Sequence, residues 1–198
     1  MKTNFVLIDY ENVQPEAMAV LEKEHFKVIV FVGANQTKVT FEVASVLQRM
    51  GDKAEYIKIA GNGSNALDFH IAFYIGQLAA QEPGAYFHIV SKDTGFDPLI
   101  QHLKSRKILA CRSKSVIDIP IVKAANSKSP SEKLAVIIGD LQRRGAAKPR
   151  TIKTLSSTIN SLFQKQLPDQ ELDSLLNELQ KQGVITVTDT KVSYDLPS

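Results

Sequence analysis

The chain has 198 residues, 43% hydrophobic and 23% charged, with a formal net charge of +3. This is the balance of a globular protein of one ordinary domain plus a small appendage, and no apolar run approaches the ~20 residues of a membrane span. Cys111 is the only cysteine, which excludes an internal disulfide and a cysteine-built zinc site.

A cytoplasmic setting is therefore expected, and the N-terminal MKTNFVLIDY has too short an apolar stretch for a signal peptide. Phe5-Val6-Leu7-Ile8 is a continuous apolar run, as in a strand buried on both faces. Pro15 is placed to open a helix through Leu21. Phe26 to Val32 predicts a second strand, and a helix follows from about Lys38 to Met50 with Gly51 as its stop. Tyr56 to Ile59 predicts a third strand. After the loop Gly61-Asn62-Gly63-Ser64, residues Asn65 to Gln81 carry Leu67, Ile71, Ile75 and Leu78 at helical spacing. Tyr86 to Val90, Pro98 to Ser105 and Lys107 to Cys111 read as strand, helix and strand. Strands alternating with helices in this way predict a three-layer α/β/α sandwich around a mainly parallel five-stranded sheet, over residues 1–125.

The small polar residues and proline from Lys123 to Pro130 read as a linker, with the boundary between the two domains set at residues 126–131. Over 132–198 the pattern changes to three amphipathic helices (Glu132 to Arg144, Thr151 to Phe163, Asp169 to Gln182) and two short strands around Thr188-Asp189-Thr190. Three helices and a hairpin are the layout of a winged helix.

Asp9, Asp68 and Asp93 each stand where a predicted strand gives way to a turn or helix. A parallel sheet gathers such positions along one edge. Two carboxylates ~4 Å apart repel by roughly 4 kcal/mol at an effective dielectric of about 20, and a divalent cation reverses that sign; Mg²⁺ takes a few carboxylates plus water. The plain alternative is that Asp9 and Asn12 are turn formers and that Asp68 complements its helix dipole. In the sharper reading Asn12 orients Asp9 or contacts a phosphate. Asp97 before Pro98 reads as a helix N-cap. Gly61 to Ser64 could face a phosphate, but an ordinary turn capped by Ser64 is the simpler reading. The histidines 25, 70, 88 and 102 lack zinc spacing, and Cys111 reads as buried filler. Two basic clusters, Lys104, Arg106, Lys107, Arg112 and Lys114, and then Arg143, Arg144, Lys148, Arg150 and Lys153, tilt the reading towards nucleic acid.

The segments FVLIDYENV, Ala66-Leu67-Asp68 and Ser91-Lys92-Asp93-Thr94-Gly95-Phe96 together resemble the PIN-like nucleases, specifically the NYN branch, over roughly residues 4 to 125. The resemblance implies a hydrolase that cleaves RNA with Mg²⁺ or Mn²⁺. It makes Asp9, Asp68 and Asp93 the metal-site carboxylates, and implies substrate contacts at Asn12, Ser91 and Thr94; Lys92, Arg106 and Arg112 are cations expected to join them. Where the family usually has a second Asp after the position of Asp93, this chain has Gly95, so Asp97 or Glu11 is expected to substitute. The C-terminal part is similar in layout to winged helices of the LOTUS or OST-HTH type. Arg143, Arg144, Lys148, Arg150 and Lys153 are its expected nucleic-acid contacts, and a homo-oligomer or protein partner through that unit is a further expectation.

Two other functions are carried alongside an endoribonuclease. One is a catalytically degenerate RNA-binding adaptor, marked by Gly95. The other is a small-molecule phosphohydrolase, for which Asp9-Tyr10-Glu11 offers only an imperfect DxD loop.

Overall fold

The computed structural model describes residues 2–61, 63 and 65–197. Asn62 and Ser64, the expected phosphate-facing loop residue and helix cap, lie outside the described residues. The chain divides into two compact units, Met1–Ile119 and Pro120–Ser198.

In the first unit, β1 (Asn4–Asp9), β2 (Phe26–Val32), β3 (Ala54–Lys58), β4 (Tyr86–Val90) and β5 (Leu109–Ser113) form one parallel sheet in the order β3-β2-β1-β4-β5. Three helices connect them: α1 (Phe41–Met50), α2 (Ala66–Gln81) and α3 (Phe96–Ser105). All six residues of β1 are buried, because β1 is the central strand and both faces are covered. Phe5, Leu7, Ile29, Phe31, Phe87 and Ile89 point to one face and pack with Leu67, Ile71 and Ile75 of α2 and Phe96, Ile100 and Leu103 of α3. Alternation sends Val6, Ile8, Val28, Val30 and Val32 to the other face, and Met18, Leu21, Val43, Val46 and Leu47 are also buried. This is the predicted three-layer sandwich.

The sheet order positions the site. The chain runs outward from β1 through β2 to β3, then crosses back to β4 on the other side of β1. That reversal makes the carboxyl ends of β1 and β4 the switch point, where a doubly wound sheet opens a crevice. The pairing of Ile8 with Val90 brings the next residues, Asp9 and Ser91, side by side.

Four local expectations are corrected. Pro15 opens no helix: only a 3-10 turn forms at Met18–Leu21, since Ala17 adopts φ 57° while Val13, Pro15 and Met18 drop into the interior. The fifth strand starts at Leu109, two residues later than expected. Lys107 takes φ 62°, and the amides of Lys107 and Ile108 donate to the carbonyls of Lys104 and Leu103, a Schellman stop built without glycine. α3 begins at Phe96 with Gly95 as N-cap, so Asp97 is inside the first turn and caps nothing. The fourth concerns the linker. α4 (Pro120–Asn126) and α5 (Pro130–Arg144) both belong to the second unit, and Ser129 closes a capping box with Glu132 on α5.

The second unit continues with α6 (Ile152–Leu162), α7 (Asp169–Lys181) and the antiparallel pair β6 (Ile185–Thr188) and β7 (Lys191–Tyr194). Leu134, Ile137, Leu141, Leu155, Ile159 and Leu179 form its core with others of their kind. Thr151, just before α6, makes an isolated antiparallel bridge to Lys191. Among the described residues, no helix is long and apolar enough to cross a membrane.

Candidate active site

Asp9 ends β1 with 0% exposure, and a carboxylate so placed needs partners. Three donors supply them. The Asn12 amide donates to Oδ1 (3.2 Å), and the Asn12 side-chain Nδ2 and the Ser91 hydroxyl each donate to Oδ2 at 2.7 Å. A carboxylate offers about four lone-pair sites, so one remains, on Oδ1. Asn12 thus holds the Asp9 carboxylate through both its backbone amide and its side chain, within a turn that the Val13 amide also closes on the Asp9 carbonyl.

Ser91 is also fully buried, so it is placed to position the site and has no surface for substrate. Its hydroxyl donates to Asp9 and accepts the Asp93 amide at 3.0 Å. One side chain therefore ties the β1 loop to the β4 loop. Asp93 bends back to accept the Gly95 amide at 2.7 Å, leaving its second oxygen for other partners.

Asp68 stands in the first turn of α2. Burial pushes its carboxyl up to about 6, and the negative charges of Asp9, Asp93 and Glu11 push in the same direction. Four acids from three separate segments thus share one electrostatic neighbourhood. Among the described residues, no group of three or more His, Cys, Asp or Glu side chains is arranged to hold a metal ion as it stands; the acids converge as a field, not as a closed cage.

Glu11 is the fourth acid of that field, and Gly33 makes room for it. A Cβ on Gly33 would fall 1.7 Å from Glu11 Oε1. Gln36 fixes the facing loop by accepting the Gly33 amide (3.0 Å) and donating to the Tyr10 carbonyl (3.1 Å). Neither Gly33, which the sequence suggests only as a turn residue, nor Gln36 is among the expected site residues; a glycine directly after a buried strand is the signal for the first.

Asp97 takes a different part. It receives two hydrogen bonds from Arg112, at 2.8 and 3.0 Å, and that guanidinium holds its carboxyl below the usual range. Arg112 in turn donates to the Ser91 carbonyl at 3.3 Å. The acid expected to replace the one missing at Gly95 and the cation expected on the substrate are thus partners of each other, bracing the loop that carries Ser91 just after β4.

The other expected cations separate. Lys92 and the adjacent Thr94 are exposed beside Asp93. Arg106 follows the last residue of α3. A βαβ crossover returns the chain to the opposite edge, and the ten residues of α3 put about 15 Å between its ends; Arg106, Lys104 and Lys107 therefore lie away from the acids. His88 and Cys111 pair at 3.3 Å inside the sheet, both buried, as packing residues. In the second unit Arg143 and Arg144 lean on the buried Asp140 at 3.5 and 2.6 Å. Lys148 lies over the Tyr194 ring, while Arg150 and Lys153 are exposed.

A family model described as PIN domain matches residues 3–113, from the first strand of the sheet through the last. No curated protein and no solved structure gives a significant match. PIN domains have a nuclease-like fold, act on nucleic acid and are generally metal-dependent. With more than half of its length matched, the chain belongs to the PIN domain family.

Proposed function

We propose that the first unit is an NYN-type endoribonuclease that hydrolyses RNA phosphodiester bonds with Mg²⁺ or Mn²⁺. The observation that carries this is the shared neighbourhood of Asp9, Asp68, Asp93 and Glu11 at the sheet's switch point. The donor set fits such an ion: the oxygens are carboxylates, which Mg²⁺ and Mn²⁺ prefer, and Asp68 gains from any positive neighbour.

Asp9, Asp68 and Asp93 would hold the metal, with Glu11 as the fourth acid where Gly95 offers none. When bound, the ion would supply an acidified water and offset charge on the scissile phosphate. Asn12 and Ser91 keep the Asp9 carboxylate oriented, and Arg112 with Asp97 holds the β4 end in place. Lys92 and Thr94 stand at the surface, open to substrate.

The second unit is read as a winged helix of the LOTUS or OST-HTH kind. Its support is the order helix, bridge at Thr151, two helices, hairpin. The exposed face of α7 carries Asp173, Ser174 and Asn177, which suits phosphate poorly. Arg150 and Lys153, with Lys148 beside them, are the cations proposed to touch nucleic acid; Arg143 and Arg144 serve Asp140 first. A homo-oligomer or protein partner through this unit, and a cytoplasmic setting, complete the reading.

The test is cleavage of total RNA by the purified chain with Mn²⁺ and with EDTA. Wild type cleaves only with the metal, and Asp9→Asn loses more than about a hundredfold, the loss typical of removing one group that stabilises transition-state charge. Equal cleavage by Asp9→Asn sinks the reading. A second reading, an RNA-binding adaptor, is favoured by one feature: Gly95 stands at the missing acid and Asp97 is engaged by Arg112. Salt-sensitive RNA binding with no turnover in Mn²⁺ would select it.

A further inference from the structure

α2 differs from the other two helices of the first unit in what it turns away from the sheet. Among the exposed residues of α1 are Glu42, Gln48 and Arg49, and among those of α3 are Gln101, His102, Lys104 and Ser105. α2 has no Asp, Glu, Lys or Arg between Asp68 and Glu82. Leu67, Ile71 and Ile75 are its buried stripe. On the opposite side, Phe69, Phe73, Gly76 and Ala80 fall on one line at helical spacing. All four are exposed, Phe69 to 70% and Phe73 to 64%. A helix apolar on every side belongs in an interior, yet the sheet covers only one side of this one.

Gly76 sharpens the contrast. A glycine weakens a helix relative to alanine, and among the described residues nothing lies within 4 Å of where its Cβ would stand. The packing of the chain on itself therefore does not call for the gap. Phe73, one turn earlier on the same line, is steadied by the Tyr74 ring, edge to face at 5.5 Å. The outer face of α2 thus presents projecting rings in its first half and open places in its second.

We propose that the outer face of α2 is a contact between two copies of this chain, packed antiparallel across a two-fold axis. The order of large and small residues selects this occupant. One register sets Phe73 against Gly76 of the second copy, and the same register sets Phe69 against its Ala80, because both pairs are centred on one point between Tyr74 and Ile75. Each ring then enters the space above a small residue, knob into hole, and the two-fold repeats both contacts. Only a second copy requires large and small residues at matching distances from one centre. No like charges meet, since the face has none, and the two helix dipoles run in opposite senses. Taking about 150–250 Å² for a whole buried aromatic side chain, the two phenylalanines offer roughly 200–330 Å² per copy. Doubled, and with the small residues added, this comes near the ~1,000 Å² floor of specific interfaces. The dimer is therefore a weak one, formed in the micromolar range.

The experiment is sedimentation equilibrium of the full chain from about 1 to 300 μM, in EDTA and without RNA, so that it stands apart from the nuclease reading. Wild type passes from monomer to dimer within that range. Gly76→Leu fills the open place and weakens association at least about tenfold. Its melting temperature, read at low concentration, stays level or rises, because leucine favours a helix more than glycine does; a glycine needed for folding would give the opposite. Phe73→Lys weakens association as much, with an unchanged circular dichroism spectrum. An equal mixture of Phe73→Lys and Gly76→Glu associates at least about fivefold more tightly than either alone, since the introduced charges meet at one contact and the other keeps its ring over glycine. Wild type that stays monomeric to the top of the range overturns the proposal and leaves the face to some other partner. A dimer that neither Gly76→Leu nor Phe73→Lys weakens overturns it by placing the contact elsewhere, as in the second unit. A mixture no tighter than its components overturns the antiparallel register.

Discussion

The acidic edge of the first unit and the basic stretch of the second are both dense in charge, yet they handle it in opposite ways. Around Asp140, the charge is settled locally: one buried carboxylate takes Arg144 and Arg143 from the following turn of its own helix. Around Asp68, none of the ion pairs among the described residues supplies a cation. Burial pushes its carboxyl up to about 6, and the charges of Asp9, Asp93 and Glu11 push the same way. Compensated charge holds a fold together, whereas like charge assembled by a sheet from distant segments is held against its own repulsion. A protein maintains such a cost where function requires it.

Asp68→Asn breaks the comparison hardest. Cleavage should fall more than about a hundredfold, as for removal of a metal ligand or its charge, while the metal-free protein becomes more stable at neutral pH. The sign follows from linkage. The folded carboxyl titrates near 6 and the ordinary value is 3.8, so between these the folded state holds the extra proton. Metal-free wild type therefore loses stability as pH rises from 4 to 6, and Asp68→Asn lacks that fall. Denaturant melts at several pH values in EDTA check it; a variant less stable than wild type at pH 7 contradicts it.

Asp140→Ala is the counterpart in the second unit. It leaves two guanidinium groups partly buried without their carboxylate, and should destabilise that unit by about 2 kcal/mol. Removing exposed Lys153 should cost under ~0.5 kcal/mol. Thermal unfolding of the two variants side by side measures the contrast. Gly95→Asp is the mildest change. Gly95 has an ordinary helical backbone, φ −56°, and an added Cβ would lie 3.1 Å from Asp93 Oδ1, so a small shift of that side chain admits it. The restored acid should tighten Mn²⁺ binding by about three- to tenfold, since one more carboxylate at a cation site adds ~1 kcal/mol at an effective dielectric near 20 after its own cost. Calorimetric titration reads it.

Much of the fold was legible in the sequence. The short apolar runs of β1, β2 and β4, rich in β-branched and aromatic residues, and the periodicity of α2 mark these elements, and the alternation of elements implies a parallel sheet with Asp9 and Asp93 at one edge. What stayed hidden was set by partners far away in sequence. The bond between Ser91 and Asp9 spans 82 residues, and nothing near Ser91 marks it as fully buried. Arg112 and Asp97 each looked like a site residue because their pairing is tertiary. The start of β5 was misread because Lys107 supplies the left-handed turn that a glycine would have announced. α4 resembles a linker in composition and becomes a helix because Val122 and Ala124 are buried in the second unit.

The measurement that bears most directly on the whole account is Mn²⁺ binding to the purified chain, followed by the electron spin resonance of the free ion. Wild type should take up the ion, and Asp9→Asn, Asp68→Asn and Asp93→Asn should each weaken uptake at least about tenfold while Asp97→Asn leaves it within about twofold. Uptake that is absent in wild type, or that survives undiminished in all three variants, would contradict a cation site at the junction of β1 and β4.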